Sequence, residues 1–337
     1  MGKMRVGVIG CGAISGNHFH ALQKTENAVL AAVCDIDPDK LKKAMKEQGV
    51  KGFQSWDELL CQEDIDAVHV CVPHFLHAEI TVAALKAGKH VLCEKPLGVS
   101  FREAQTMVQA ARDTGKSLTV CFQNRFNGAS MRMKQVIDSG ELGRILGGSA
   151  FVAWNRFGTY YTDSPWRGKW ATEGGSVLIN QAIHTLDLLK WFSGGFELKE
   201  CTMSAKRLSA EIETEDTCDI LLENKDGGRF LFYCSNCGIA NMPVQLHLML
   251  EKGEMHMDGS RLTIKGPEGV RLEDYTTEVK IGKDYWGSGH GALIENFYSQ
   301  LSKGAQPLIS PEDGMETTRL MEEAYLSSSM SIRKSGE

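Results

Sequence analysis

A glycine pattern near the N-terminus has the spacing of a turn that cradles phosphate. Gly10-x-Gly12-x-x-Ser15 directly follows an apolar run and opens a stretch with helical periodicity. Gly10 allows a tight turn, Gly12 lets the backbone approach a pyrophosphate, and the N-terminus of the helix favours the anion. Asp35 ends the next apolar run, where a carboxylate can accept both ribose hydroxyl hydrogens of a dinucleotide and repel a 2′-phosphate. The pattern predicts NAD in preference to NADP, with an ordinary turn as the alternative.

Lys95 is a candidate for stabilising negative charge. Glu94-Lys95-Pro96 follows the apolar run 90–93, and ligands bind beyond the carboxyl ends of parallel strands. An ammonium group there could hold a hydroxyl and stabilise the charge that develops on its oxygen. A solvated surface lysine is the alternative.

His184 is a candidate for proton transfer. Asn180, His184 and Asp187 recur at i, i+4 and i+7, so a regular helix would place them on one face. Such a polar stripe costs free energy in a core unless the groups bond to one another or face a cavity. A neutral imidazole can accept a proton, and Asp187 either fixes its tautomer or packs the helix. A satisfied structural histidine is the alternative.

Strands and helices that would position these residues alternate up to about residue 122. Short β-branched runs predict strands at 5–9, 29–34, 67–72, 90–93 and 117–122. Between them, Asp37 and Pro38 are typical of a helix start, and Ser100 and Gly115 bracket another helix. The alternation predicts a doubly wound parallel sheet, a Rossmann-type domain over residues 1–122.

Longer alternating runs follow and predict an α+β domain over residues 123–337. Predicted strands cover 198–208, 217–223, 229–235, 244–251 and 254–257. Helical periodicity covers 289–303 and 311–333. The expected fold is therefore α/β, with an open, largely antiparallel sheet in the second domain.

Composition and charge argue against several function classes. The 337 residues include 37 basic and 43 acidic side chains, a net charge of −6, so nucleic acid is not an expected partner. No run of about 18 uncharged apolar residues, signal peptide or acylation motif is apparent, so we expect a cytoplasmic protein without a membrane partner. The ten cysteines are scattered and suit buried thiols, and no set at metal-ligand spacing stands out. We expect no metal.

An aromatic-rich segment suggests a surface for a sugar. Residues 151–170 hold seven of the chain's 26 aromatic residues, with polar side chains such as Arg167 beside Trp166. Aromatic faces and hydrogen-bonding groups suit the C–H faces and hydroxyls of a sugar ring. A subunit interface, which favours the same residue types, is an equal alternative.

Three motifs together resemble the glucose–fructose oxidoreductase / inositol dehydrogenase / MocA (Gfo/Idh/MocA) family over essentially the whole chain. They are Gly10-Cys11-Gly12-Ala13-Ile14-Ser15, Glu94-Lys95-Pro96 and the segment 174–184. The resemblance implies hydride transfer between NAD and a secondary carbinol of a sugar, sugar derivative or cyclic polyol. It also implies that Lys95 and His184 are the catalytic pair. The family often carries Asp-x-Gly-x-His here, whereas this chain has Asn180 and Ala182, so His184 is the acid–base candidate.

The predicted site residues fall into three groups. The catalytic residues are Lys95 and His184. The cofactor-binding residues are Gly10, Gly12, Ala13, Ile14, Ser15, Asp35, Pro73, His77, Glu94 and Lys95. The substrate-side residues are Asn180, Arg125, Arg167, Trp166 and His290, of which Arg125 and His290 lie in segments that resemble the family's substrate side; either could equally be a surface residue.

Two other functions stay open at this stage. One is a redox-neutral reaction in which bound NAD oxidises a sugar carbon transiently to permit epimerisation or elimination of a glycosidic group. The other is a dinucleotide-binding regulator without chemistry, which has no need for both Lys95 and His184. The expected assembly is a homo-oligomer, a dimer or tetramer formed through the C-terminal sheet.

Overall fold

The computed structural model describes residues 2–205, 212–276 and 289–328, and the statements below concern these residues. They form two compact units. Unit 1 contains the described residues of 1–123 and 289–318, and unit 2 contains those of 124–288 and 319–337. The division predicted from the sequence differs mainly in the segment 289–318, which packs within unit 1.

Strands and helices are numbered in chain order. The strands are β1 Met4–Ile9, β2 Ala28–Cys34, β3 Lys51–Phe53, β4 Ala67–Val70, β5 His90–Cys93, β6 Leu118–Val120, β7 Ile145–Ala153, β8 Glu197–Ser204, β9 Thr217–Glu223, β10 Arg229–Ser235, β11 Gln245–Leu250, β12 Gly253–Asp258, β13 Arg261–Gly266 and β14 Gly269–Asp274. The α-helices are α1 Ser15–Lys24, α2 Pro38–Gln48, α3 Trp56–Leu60, α4 His77–Lys86, α5 Phe101–Thr114, α6 Gly128–Ser139, α7 Ile183–Ser193, α8 Gly289–Ser302 and α9 Pro311–Ser327.

Unit 1 is built on a six-stranded sheet in the order β3-β2-β1-β4-β5-β6. Every pair of neighbouring strands is parallel, which confirms the predicted doubly wound sheet. Most residues of β1, β4 and β5 are apolar and buried, as expected for a sheet covered on both faces. Their carboxyl ends carry the glycine loop, Pro73 and Glu94.

Two helix boundaries in unit 1 follow directly from local sequence. The Asp37 carboxylate accepts hydrogen bonds from the backbone N–H groups of Asp39 and Lys40, and Pro38 takes the first helical position of α2. The Ser100 hydroxyl accepts a hydrogen bond from the N–H of Glu103 at the start of α5. Both predicted caps are confirmed.

Helix α8 packs within unit 1 through polar contacts at its middle. The Glu295 carboxylate accepts hydrogen bonds from the Thr25 hydroxyl and, at 2.8 Å, from the Asn27 amide. Further along the chain, the Thr119 hydroxyl of β6 donates to the carbonyl of Ile309 at 2.7 Å. These bonds attach the segment 289–318 to the parallel sheet and its helices.

Unit 2 is built on an eight-stranded sheet in the order β14-β13-β12-β11-β7-β10-β9-β8. Only β7 and β10 run parallel among these neighbouring pairs, which confirms the largely antiparallel prediction. The central strand β7 contains Gly147 and Gly148, and a side chain on Gly148 would lie 2.3 Å from the carbonyl oxygen of His247. The close approach of the neighbouring backbone explains the glycine pair. Because glycine is rare in strands, the pair also explains why β7 was not predicted from the sequence.

In the described part of the chain, every helix is too short or too polar to serve as a candidate span of a lipid bilayer.

Candidate functional site

The glycine loop of unit 1 has the shape that its sequence predicts. Gly10 has φ of +96°, and a side chain there would lie 2.4 Å from the backbone oxygen of Cys71. No described atom beyond its chain neighbours lies within 4 Å of a side chain built on Gly12. Gly12 and Ala13 are exposed, Ile14 directly precedes α1, and the Ser15 hydroxyl donates to the Gly12 carbonyl at 2.7 Å. The loop thus leaves its backbone accessible to an anion.

Both carboxylate oxygens of Asp35 accept backbone hydrogen bonds, one from this loop and one from the turn that follows β2. Its Oδ2 accepts a hydrogen bond from the Cys11 N–H at 2.7 Å, and its Oδ1 accepts one from the Asp37 N–H at 2.9 Å. Each carboxylate oxygen can accept a second hydrogen bond, so the group retains capacity for hydroxyls. Helix α1 has no acidic residue in its first turn. The residues therefore fit the ribose and pyrophosphate of a dinucleotide.

His77 packs at the ends of two parallel strands. Its Nδ1 lies 2.8 Å from the Pro96 carbonyl oxygen and its Nε2 lies 2.9 Å from that of Val72. Burial lowers the pKa of His77, although these backbone contacts oppose the shift. The ring therefore packs between the Glu-Lys-Pro segment and the strand end that precedes Pro73, and its single N–H can donate to one of the two carbonyls. Pro73 itself precedes a single 3₁₀ turn, His74–Leu76.

Glu94 is a buried carboxylate surrounded by donors. Its Oε1 lies 3.0 Å from His18 Nε2 and 3.8 Å from His290 Nε2, and its Oε2 accepts a hydrogen bond from the Lys95 N–H at 3.2 Å. Burial alone would raise the pKa of Glu94, but the hydrogen bonds of His18 and His290 hold it well below its usual range. The ionised carboxylate thus fixes the backbone at Lys95, whose side chain is half-buried.

A histidine chain supports this carboxylate from inside unit 1. His18 Nδ1 lies 2.9 Å from His69 Nδ1, and His69 Nε2 lies 2.8 Å from the Tyr298 hydroxyl oxygen. One assignment of hydrogens satisfies every contact: Tyr298 donates to His69, His69 to His18, and His18 to Glu94. Sequence reasoning missed this chain because its members come from α1, β4, α8 and the position directly after β5.

His290 and Cys121 also lie beside Glu94. His290 is the second residue of α8 and is buried, and most of the substrate-side segment predicted around it lies outside the described residues. Ligand atoms of His18, Glu94 and Cys121 lie within 4.8 Å of one another. The expectation of no metal was based on the wide separation of these residues in the sequence. In the fold the three side chains lie close together. The contact between His18 and Glu94 has the distance of a hydrogen bond, with His18 as the donor and the Glu94 carboxylate as the acceptor.

In unit 2, the Gly174-Gly175-Ser176 turn is packed against two buried groups. Gly175 has φ of +149°, and a side chain there would lie 2.0 Å from the Tyr325 hydroxyl oxygen. The Ser176 and Leu178 N–H groups both donate to Glu215 Oε1 at 3.0 Å. The Tyr325 hydroxyl donates to the same oxygen at 2.8 Å. This turn requires glycine and a buried acceptor.

The segment after this turn is not the uniform helix that the sequence predicts. Val177–Ala182 is π-helical, and the α-helical hydrogen-bond pattern begins only at Ile183. Asn180 donates from Nδ2 to Glu173 Oε1 at 2.6 Å, whereas Asp187 accepts from Arg125. His184 is buried in the first turn of α7. The regular helix that the sequence predicts is therefore interrupted by a π-helical turn, and Asn180 and Asp187 bond to different partners.

Arg125 lies in a buried ion pair. Its Nε and Nη2 each donate to a carboxylate oxygen of Asp187 at 2.7 Å, and both side chains are 1% exposed. Its guanidinium carbon also lies 5.3 Å from the ring centroid of Trp191. A substrate contact by Arg125 stays a prediction, and the described geometry commits its guanidinium to packing. Of the two roles considered for Asp187, this ion pair favours helix packing.

Arg167 and Trp166, two of the predicted substrate-side residues, lie in the aromatic segment 151–170. The Arg167 guanidinium carbon lies 4.3 Å from the ring centroid of Tyr160 and 5.4 Å from that of Trp166. Its Nη1 donates to the Tyr160 carbonyl at 3.2 Å. Arg167 and Trp166 are both half-buried, so part of each side chain is accessible.

Two buried glutamates of unit 2 escaped sequence reasoning. Burial raises the pKa of Glu173 to about 7, and burial likewise raises that of Glu215 to about 7, against opposing hydrogen bonds. Both side chains are fully buried. Nothing in the local sequence marks either carboxylate for burial. The one available signal was the position of Glu173 directly before Gly174-Gly175.

Comparisons with known proteins extend over most of the chain. Residues 4–122 match the family described as "Oxidoreductase family, NAD-binding Rossmann fold", and residues 130–256 match the "GFO/IDH/MocA C-terminal domain". An inositol 2-dehydrogenase of Salmonella typhimurium (strain LT2) is 32% identical over 311 residues, which cover 90% of this chain and 88% of that protein. A myo-inositol 2-dehydrogenase of Thermotoga maritima is 25% identical over 92% of both chains.

Solved structures share the fold. The WlbA dehydrogenase of Bordetella pertussis, in complex with NADH and UDP-GlcNAcA, superposes with a TM-score of 0.83 at 30% identity and covers 96% of both chains. A levoglucosan dehydrogenase in complex with NADH and levoglucosan has a TM-score of 0.86 at 20% identity, over 96% of this chain and 97% of that one. At that identity the second likeness concerns the fold alone.

Proposed function

Because the chain belongs to the Gfo/Idh/MocA oxidoreductase family, we propose that it is an NAD-dependent dehydrogenase acting on a secondary carbinol of a sugar, sugar derivative or cyclic polyol. The observation that carries this proposal is the exposed glycine loop with Asp35 fixed to it, in a chain that also has Lys95 and His184. Inositol and UDP-GlcNAcA, named for two relatives, belong to this substrate class.

Asp35 supports a preference for NAD over NADP. Its carboxylate accepts hydrogen bonds from two backbone N–H groups and keeps lone pairs for ribose hydroxyls. A 2′-phosphate at the same position would meet a fixed negative charge. The next residue, Ile36, is exposed and offers no positive charge to such a phosphate.

Lys95 and His184 are the proposed catalytic residues. When bound, the oxidised nicotinamide supplies the hydride acceptor. Neutral His184 takes the hydroxyl proton of the carbinol, and the Lys95 ammonium holds the hydroxyl and stabilises the negative charge that develops on its oxygen. Glu94 assists indirectly, because its buried carboxylate fixes the Lys95 backbone.

The aromatic segment supports a ring-shaped substrate. Tyr160, Trp166 and Arg167 form a stacked cluster that offers apolar faces and a cationic group. We propose that Trp166, Arg167, Asn180 and His290 contact substrate hydroxyls. A redox-neutral enzyme with transient oxidation is the second candidate, since it needs the same Lys95 and His184.

The proposed assembly is a homo-oligomer through the C-terminal sheet. Phe151, Leu231 and Met249 occupy one face of adjacent strands β7, β10 and β11, and each is more than a third exposed. Such an apolar patch favours a protein interface. We also propose a cytoplasmic location, since most of the cysteines are buried in the manner of small apolar side chains.

A steady-state screen tests the proposed function. Pyranoses, pyranosides, sugar acids, inositols and simple secondary alcohols are assayed with NAD, with product analysis beside NADH absorbance. A sugar or inositol should exceed every simple alcohol in kcat/KM, because remote hydroxyl contacts position the reacting carbon. Equal kcat/KM for simple alcohols contradicts the sugar-site proposal.

Variants of the two catalytic residues complete this test. Lys95→Ala and His184→Ala should each lower kcat by about 10²–10⁴-fold, while the NAD Kd measured by calorimetry changes only a few-fold. Lys86→Ala, at an exposed lysine of α4, is the control and should retain full activity. Near-normal turnover in either catalytic variant removes that residue from the mechanism.

A further inference from the structure

Glu173 and Asn180 form a hydrogen-bonded pair a few residues before His184 in the chain. Glu173 Oε1 accepts a hydrogen bond from Asn180 Nδ2 at 2.6 Å, and Glu173 Oε2 accepts one from the Gly168 N–H. The Glu173 side chain is fully buried, and Asn180 is half-buried in the π-helical turn. Each carboxylate oxygen thus has a particular donor, one from a rigid backbone and one from an amide that can rotate.

Several charged and titratable groups act on Glu173. Burial raises its pKa to about 7, the hydrogen bonds from Gly168 and Asn180 oppose this, the charge of Glu215 raises it and that of Arg167 lowers it. The phenols of Tyr160 and Tyr161 also interact electrostatically with this carboxylate. Both protonation states of Glu173 are therefore accessible near neutral pH.

The two protonation states require opposite orientations of the Asn180 amide. An ionised carboxylate only accepts hydrogen bonds, so Nδ2 of Asn180 must face it and Oδ1 must face away. A protonated Glu173 still accepts from Gly168 through its carbonyl oxygen, while its O–H can donate to Oδ1 of Asn180. The amide then faces the other way and presents Nδ2, since the terminal torsion of asparagine permits both orientations.

We infer that Glu173 is a positioning residue for carbinol oxidation, which selects through its own protonation whether Asn180 presents a hydrogen-bond acceptor or a donor to the substrate. This inference rests on the proposed function. With Glu173 ionised, Oδ1 of Asn180 accepts a hydrogen bond from a substrate hydroxyl and orients it. With Glu173 protonated, the amide presents N–H groups instead, and this orientation is lost.

Replacement of Glu173 by glutamine provides a sharp test. A glutamine has one acceptor oxygen, which the fixed Gly168 N–H engages, so its amide N–H must point to Asn180 Oδ1. Glu173→Gln therefore imitates the protonated state at every pH. In Glu173→Gln/Asn180→Asp, the glutamine N–H donates to a carboxylate at position 180, which supplies an acceptor again.

The measurement is the pH profile of kcat/KM with NAD and myo-inositol, or with the pyranoside of the screen that reacts fastest. Wild-type protein should show two ionisations on the acid limb, from His184 and Glu173. Glu173→Gln should lose about tenfold in kcat/KM at pH 8 and show only one ionisation on the acid limb. The double variant Glu173→Gln/Asn180→Asp should recover most of the lost kcat/KM. Asn180→Ala should also show only one ionisation, because Glu173 acts through this amide.

A second readout does not depend on turnover. The side-chain amide resonances of Asn180 in ¹⁵N-labelled apoprotein should shift between two states with a midpoint near pH 7 in wild type and stay fixed in Glu173→Gln. Melting curves verify that each variant is folded. The inference is overturned if these resonances do not titrate in wild type, or if Glu173→Gln keeps both the wild-type kcat/KM and both ionisations. Titrating resonances without any carbinol oxidation would instead refute the proposed function while keeping the coupled pair.

Discussion

The buried ion pair of unit 2 gives a quantitative prediction for the substitution Asp187→Leu. Arg125 and Asp187 are each 1% exposed and are joined by two hydrogen bonds of 2.7 Å, and Lys190 Nζ lies 3.7 Å from the same carboxylate. Removal of the carboxylate leaves a guanidinium buried without its counter-charge, a change that typically costs about 3–5 kcal/mol. At about 2–4 °C per kcal/mol for a unit of this size, Tm should fall by roughly 10 °C.

The assay is calorimetric melting at one fixed protein concentration, because oligomerisation would otherwise shift Tm. Arg125→Met/Asp187→Leu should recover most of the loss, since apolar residues of similar volume replace the pair. Glu251→Gln, which removes an exposed partner of Arg144, is the control and should leave Tm nearly unchanged.

The same variants decide the role of Arg125. If Arg125 only packs unit 2, the double variant regains activity together with Tm. If Arg125 binds substrate, Tm recovers while kcat/KM stays low. A wild-type Tm for Asp187→Leu refutes the reasoning from burial and geometry altogether.

Three further substitutions have definite expected outcomes. Gly175→Ala should prevent normal folding of unit 2, because its methyl group would overlap the Tyr325 hydroxyl at a φ of +149°; a wild-type circular dichroism melt contradicts this. The pKa of Glu215 is raised from 4.5 to about 7 in the folded protein, so its contribution to stability is present below pH 4.5 and is lost as pH rises through 7. Glu215→Gln does not titrate and should therefore gain stability relative to wild type between pH 5 and pH 8, as measured by urea melts at these two pH values. Asp35→Ser should weaken the preference for NAD over NADP in calorimetric titrations, and tighter NADP than NAD binding in the unmodified protein refutes the assignment.

Elements with local signals could be predicted from sequence. The Asp37 and Ser100 caps are set by side chains that bond N–H groups within the next three residues, so both helix starts were correct. Strand β7 was missed because its glycines serve a close approach to β10 and β11, which only the assembled sheet reveals. The π-helical turn was missed because the spacing of Asn180, His184 and Asp187 was interpreted as that of a regular helix.

The candidate site divides in the same way. The glycine loop and Asp35 were predictable because their spacing is set by one strand–helix unit. Glu173 and Glu215 were not, since their burial depends on contacts with Gly168, Asn180 and Tyr325 that no local pattern announces. The His18–His69–Tyr298 chain likewise joins residues up to 280 positions apart, and appears only when the sheet and α8 are assembled.

Transfer of a labelled hydride tests the central claim most directly. The fastest substrate of the screen, deuterated at the carbinol carbon, is incubated with NAD, and the cofactor and the sugar product are both analysed by mass spectrometry. The proposed dehydrogenase should give one deuterium in free NADH for each ketone formed, and neither Lys95→Ala nor His184→Ala should give this at more than about a hundredth of the wild-type rate. Deuterium that returns to the sugar without free NADH, or product formed with no deuterium in the cofactor, would contradict net NAD-dependent oxidation.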